Sequence, residues 1–235
     1  MQNEVRQRGR WNLFLSGAVT GNDLSAALNA APAAGEVWTG SLDPQPTNQG
    51  QAAAVVRAAD VSRCTLLVGG YGPSRREADY YAFVLLLQTL ANDPLRSRLQ
   101  MELRLKQPLA ERVECSFLSS TGVAPWLLRI DCSPQNLAQV QARLKEQLDG
   151  LRSKEISPEE LRLSVSRLEG QQQVACKNST GLVLQLRNLE LFRLSDSYNQ
   201  GFAGIYHNVN AKDVLNSAKV RLAPERLVSL IVTPK

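Results

Sequence analysis

Ser133-Pro134 and Ser157-Pro158-Glu159-Glu160 constrain this chain more than any other feature. Each sets a serine ahead of a proline at the first helical position, where proline's missing N–H costs nothing. Ser157 and Glu160 add a capping box. Both signals open long amphipathic helices, one reaching about Leu151 and the next starting directly after it. Two long helices in succession do not suit a fold that alternates strand and helix one by one. The expected class is α+β: a mostly antiparallel or mixed sheet of about five strands, with paired helices packed on one face.

The rest of the pattern agrees. Apolar runs at Trp11–Ser16, Arg63–Gly69, Arg112–Leu118, Trp126–Cys132 and Leu227–Val232 read as strands. A turn around Ser120-Thr121-Gly122 makes the third and fourth a hairpin. Helices are expected from about Asn22 to Ala31, with Asn22 or Asp23 as cap, and over Arg76–Leu90 with Tyr80, Phe83, Val84 and Leu87 on one face. Others are expected from Asp93-Pro94 to about Lys106, and over Thr180–Arg193, Tyr198–Tyr206 and Ala211–Val220, the last capped by Asn210. Pro32, Gly35, Gly40, Pro44 and Pro46 punctuate an aperiodic stretch. The expected organisation is therefore a strand–helix element over 1–31, a linker over 32–59 and one domain over 60–235.

Composition removes several functions. Of the residues, 43% are hydrophobic, enough for a sizeable core. The 27 Lys and Arg against 22 Asp and Glu leave +5, with no basic block of the kind that marks a nucleic-acid partner. The apolar run Ala82–Leu87 is far too short to span a membrane. The polar start lacks a signal peptide's apolar stretch; either the protein is cytoplasmic or the chain lacks its native N-terminus, so bacterial periplasm and cytoplasm both stay open. The four cysteines, Cys64, Cys115, Cys132 and Cys176, form no C-x-x-C pair and read as buried thiols, with a Cys115–Cys132 bridge across the hairpin left open. Ser97, Ser120 and Ser133 have only His207 in the whole chain to activate them, which argues against a serine hydrolase. Gly69-Gly70-Tyr71-Gly72 lacks G-K-[ST] and is followed by Pro73, so it reads as a strand-to-helix turn rather than a phosphate loop. His207 reads as a helix-end or surface group, Tyr80, Tyr81 and Trp126 as core, and Arg75-Arg76 and Arg96/Arg98 as small solvated basic spots.

Four phrases in order resemble the C-terminal, non-catalytic half of the pitrilysin/insulysin-type zinc metallopeptidases, the inverted zincins. They are LLVGGYGPSRREADYYAFVLLLQTLA (Leu66–Ala91), RSRLQMELRLKQPLAERVECS (Arg96–Ser116), ISPEELRLSVSRLEG (Ile156–Gly170) and NVNAKDVLNSAKVRLAPERLVSLIV (Asn208–Val232). Ser97-Arg98-Leu99 followed by Leu103-Arg104 is similar to the family's S-R-L, short helix, L-R pattern. The resemblance implies a metallopeptidase-half, LuxS/MPP-like fold. It also implies that this chain would help enclose peptide substrates, paired with a catalytic zinc-bearing half in the same polypeptide or in a separate subunit. In the family, H-x-x-E-H and a downstream Glu in that other half hold zinc. H-x-x-E-H is absent here and one histidine cannot supply two ligands, so no metal, cofactor or catalytic residue is expected in this chain and alone it should be inactive.

The resemblance implies one candidate contact. Arg104 matches the arginine that grips substrate backbone carbonyls, a role suited to its fixed fork of donors. The family pairs it with a tyrosine seven residues on; here that position is Glu111, which cannot donate to a carbonyl as a phenol does. Pro108 replaces a usual glycine, and Ala91–Arg96 replaces a Gly-rich loop. The alternative expectation is therefore a proteolytically inactive structural or scaffold subunit, or a protein-interaction domain of the same fold.

Overall fold

The structure, a computed structural model, describes residues 18, 20–30, 53–122, 124–195 and 197–235. The strand expected at Trp11–Ser16 and most of the expected linker lie outside the described residues. Five strands are described: β1 (Ala53–Ala59), β2 (Cys64–Gly72), β3 (Ala110–Phe117), β4 (Ala124–Cys132) and β5 (Val228–Pro234). The helices are α1 (Gly21–Ala30), α2 (Tyr80–Leu87), α3 (Arg98–Gln100), α4 (Leu137–Ser153), α5 (Pro158–Ala175), α6 (Ser179–Phe192), α7 (Tyr198–His207) and α8 (Ala211–Arg221). Two of them run on into π-helical turns, α2 through Gln88–Asn92 and α3 through Met101–Lys106.

The chain separates into two units. The larger comprises Pro44–Glu169 and Asn199–Lys235 and holds the sheet; the smaller comprises Met1–Asp43 and Gly170–Tyr198 and holds α1 and α6.

In the larger unit the strand order is β1-β5-β2-β4-β3. β1 runs parallel to β5 and every other pairing is antiparallel, so the sheet is mixed. Along β4, Ala124, Trp126, Leu128, Ile130 and Cys132 are buried while Pro125, Leu127 and Arg129 are exposed. That strict alternation means that one face of the sheet is packed and the other solvated. On the wet face Thr65 Oγ1 donates to Asp131 Oδ1 at 2.7 Å and Arg129 Nε to the same oxygen at 3.0 Å. The core joins Leu66, Leu128 and Ile130 to Phe83, Leu86 and Leu90 of α2 and its π-turn, Val140 and Leu144 of α4, and Val214 and Ala218 of α8.

Several elements differ from the sequence reading for definable reasons. β1 falls inside the expected linker; its partner β5 lies at the other end of the chain, and local periodicity carries no sign of so distant a pairing. Gly69-Gly70-Tyr71-Gly72 is not a turn: β2 continues through it, paired with Ala124–Leu127. The glycines permit close packing there, since a Cβ on Gly72 would stand 2.6 Å from the Phe83 ring and 2.7 Å from that of Phe117. α2 is buried nearly all round rather than on one face, with Tyr80, Ala82, Phe83, Leu85, Leu86 and Leu87 all in the core.

Side-chain caps explain several helix starts, whereas α2, α3 and α4 open without one, and Ser133 makes no cap bond ahead of Pro134. Ser157 and Glu160 form the expected box, with Ser157 N donating to Glu160 Oε2 at 2.9 Å and Glu160 N to Ser157 Oγ at 3.2 Å. Asn210 caps α8 with Asp213 in the reciprocal role. For α1 the cap is Thr20, two or three residues earlier than expected, and Asp23 returns the bond to Thr20 N at 2.9 Å. In the smaller unit α6 closes at Arg193 (φ 52°), and Leu194 N reaches back to Leu189 O at 2.8 Å.

Candidate functional site

The segment from Asp93 to Phe117 carries both residues that the sequence singles out. Asp93 Oδ1 accepts from Leu95 N at 2.9 Å and Arg96 N at 3.0 Å, which turns the chain out of the first π-helical stretch. α3 therefore begins at Arg98, later than Asp93-Pro94 suggested. Leu99 and Leu103, four residues apart and both fully buried, seat α3 and its π-turn on the core. Arg98, between Ser97 and Leu99, turns to α5, where Nε and Nη2 grip the Glu160 carboxylate at 2.7 and 3.1 Å.

Arg104 lies in the second π-turn and is exposed. Its Nη1 donates to Gln100 Oε1 at 3.0 Å. Gln100 is only 4% exposed, and its Nε2 donates in turn to Val113 O of β3 at 2.8 Å. A single amide thus ties the guanidinium to β3, one of the two edge strands described. Among the described residues Arg104 has no carboxylate partner, so its charge is uncompensated.

Glu111 is placed differently. β3 pairs Ala110 with Cys132 and Arg112 with Asp131, so Glu111 is the extra residue of a β-bulge. The bulge leaves Glu111 and Arg112 exposed in succession, and Glu111 forms an ion pair with Arg63 at the foot of β2. Arg104 and Glu111 turn to separate partners and form no pair with each other among the described residues.

The sequence reading missed Gln100 and the bulge. Consecutive polar residues at Glu111-Arg112, which break the period of two, were the available signal for the bulge. A glutamine four residues before Arg104, flanked by Leu99 and Leu103, was the signal for Gln100. Arg75, read as part of a solvated spot, instead stacks over Tyr80 and Tyr81 at 4.2 and 5.1 Å from the ring centroids.

The sequence matches the family described as the peptidase M16 inactive domain over residues 13–168. The chain belongs to that family. The M16 inactive-domain fold recurs in solved structures. The crystal structure of a peptidase M16 inactive domain from Pseudomonas fluorescens is 21% identical, with a TM-score of 0.75 over 93% of this chain and 52% of that one. A protease from Helicobacter pylori is 14% identical, with a TM-score of 0.78 over 94% and 54%. The periplasmic protease PqqL from Escherichia coli is 15% identical, with a TM-score of 0.66 over 93% and 25%. At these identities the likeness concerns the fold alone. The chain spans about half the length of the first two. No curated protein matches the sequence.

The residues of this M16 inactive domain do not fit a zinc site of two histidines and a glutamate. His207, its one histidine, ends α7 with its side chain 64% exposed and Nε2 2.8 Å from Glu169 Oε1. Among the described residues no group of three or more His, Cys, Asp or Glu side chains could hold a metal ion. All four cysteines are free. In the ladder, Cys132 stands opposite Cys64 of β2 and Cys115 opposite Leu128, so the hairpin does not set Cys115 facing Cys132. Burial pushes the Cys115 thiol up to about 12, and burial with Cys64 and Asp131 nearby pushes Cys132 up to about 11. Neither is a thiolate at neutral pH. Among the described residues no helix is long and apolar enough to cross a membrane.

Proposed function

We propose that this M16 inactive domain is the substrate-enclosing, non-catalytic half of a two-half zinc metalloendopeptidase, and that Arg104 is its contact with the peptide. The observation that carries the reading is the state of Arg104: exposed, held through one nitrogen by a neutral amide, with no carboxylate among the described residues to quench it. Its remaining N–H donors are free to meet acceptors, and a peptide backbone offers carbonyl oxygens at regular spacing. Glu111, at the position of the family's tyrosine, adds no donor and has its charge met by Arg63. Of these two positions, only Arg104 can donate to a peptide carbonyl.

The zinc belongs to the catalytic half, in the same polypeptide or in a partner subunit. Support for such an arrangement comes from the family match and from the first two solved relatives, each about twice the length of this chain. Mixed with its zinc-bearing half, the chain should raise cleavage of a quenched fluorescent peptide above that of the half alone. Arg104→Ala should lower the gain by roughly tenfold or more, as expected for one hydrogen bond from a charged donor. The chain by itself should cleave nothing. No gain over the zinc-bearing half alone would overturn the reading and leave a structural subunit of the same fold.

A further inference from the structure

We propose that Gln100 is the positioning residue of Arg104: its buried amide fixes where the guanidinium stands against β3. The consequence for substrate rests on the reading of Arg104 given above; the positioning itself does not.

The orientation of the amide follows from its neighbours. Val113 O can only accept and Arg104 can only donate, so the NH₂ must face β3 and the oxygen must face Arg104. Turned over, the amide would set donor against donor on one side and acceptor against acceptor on the other. Gln100 is also locked in place: it is 4% exposed, and its chain neighbour Leu99 is fully buried. A rigid, one-way amide is a better template for a long flexible cation than the solvent that otherwise surrounds it. Arginine forfeits considerable rotamer freedom when ordered, and a contact that orders it beforehand spares the ligand that cost. The choice of an amide matters as well. A carboxylate here would hold Arg104 more tightly but cancel its charge and leave Val113 O without a donor.

β3 is an edge strand among the described strands, and Gln100 satisfies one of its carbonyls from the side. A purely structural role for Gln100 would end there. The two roles separate experimentally in Gln100→Met and Gln100→Glu. Gln100→Met keeps the length and loses both bonds; Gln100→Glu keeps an acceptor for Arg104 and loses the donor to Val113.

The first readout is NMR of the arginine side chains in the full chain labelled with ¹⁵N, with Arg104 assigned by its absence in Arg104→Ala. Slow exchange of the Arg104 guanidinium protons is expected in the native chain and in Gln100→Glu. Exchange about fivefold faster is expected in Gln100→Met, the effect of losing one ordinary hydrogen bond. The second readout is peptide cleavage with the zinc-bearing half. Gln100→Met should raise KM with kcat little changed, and Gln100→Met combined with Arg104→Ala should be no worse than Arg104→Ala alone. Unchanged Arg104 exchange in Gln100→Met overturns the proposal. If Gln100→Met does not fold, fast Arg104 exchange in Gln100→Glu overturns it instead. If Arg104→Ala leaves cleavage untouched, the substrate reading fails while the exchange data still decide whether Gln100 positions Arg104.

Discussion

Arg98 and Arg104 stand six residues apart on one helical stretch, and the chain uses them in opposite ways. Arg98 is 22% exposed and gives a two-pronged grip to Glu160, whose own carboxylate also closes the capping box of α5. Arg104 is exposed and touches one neutral amide. Arg221 follows the Arg98 pattern: 13% exposed, it meets Asp79 through Nε and Nη2 at 2.9 Å each and Glu77 through Nη2 at 2.5 Å. A half-buried guanidinium with matched carboxylates ties elements together, and losing one partner strands the other. A guanidinium left uncompensated at the surface contributes little to the fold. Its charge remains available to something outside the chain.

The largest effect expected in this region is neither arginine's. Leu103→Ala removes a fully buried side chain from the helical stretch that carries both, and should cost about 2–5 kcal/mol in urea unfolding. Glu160→Ala comes next, at about 2 kcal/mol, because one substitution removes a helix cap and a charged hydrogen-bond partner together. If Glu160→Ala instead proved neutral, Arg98 would be as loosely held as Arg104 and the contrast would collapse.

Acid sharpens the contrast further. Burial opposes ionisation of Glu160, but the bonds from Arg98 and from Ser157 outweigh it and hold its pKa below the usual glutamate value. A depressed carboxyl stabilises the fold fully above the unfolded-state value of about 4.3, and the contribution drains away as pH falls through the lower folded-state value. The stability gap between the native chain and Glu160→Gln should thus be constant from about pH 5 to 7 and shrink below about pH 4.3. The link between Gln100 and Arg104 contains no carboxylate, so Gln100→Met should keep its gap across the same range.

What was legible beforehand follows the range of the interactions. Ser157, Glu160 and Asn210 act within one helical turn, and their caps stand where the sequence placed them. The hairpin β3–β4 is likewise local, and its apolar residues announce it. β1 could not be read, because Ala53–Ala59 acquires its meaning from Val228–Pro234. Gly69–Gly72 resembles a turn in one dimension, because a glycine that relieves a clash, as Gly72 does with Phe83 and Phe117, looks there like a glycine that makes a turn. For the candidate site, Arg104 stood out through its L-R context, but its partner is a glutamine whose carbonyl and amide serve two different elements. A bond from Gln100 to a main-chain oxygen thirteen residues on leaves no trace in residue type. The same holds for Glu111, whose bulge depends on how β3 registers against β4.

The smallest effect is the most telling. Arg104→Ala should change unfolding stability by no more than about 0.5 kcal/mol, since an exposed side chain with one hydrogen bond contributes little to the folded state. The matched substitution Arg98→Ala strands Glu160, and it should cost about 1–2 kcal/mol in the same experiment. Both changes delete the same chemistry from one helical stretch, so helix propensity and charge count cancel between them and only the surroundings differ. A loss of stability in Arg104→Ala equal to that in Arg98→Ala would make Arg104 a structural residue and deprive the peptide-gripping reading of its footing. A near-silent Arg104→Ala that still lowers cleavage in the presence of the zinc-bearing half would place the residue's value in binding, because nothing in the fold depends on it.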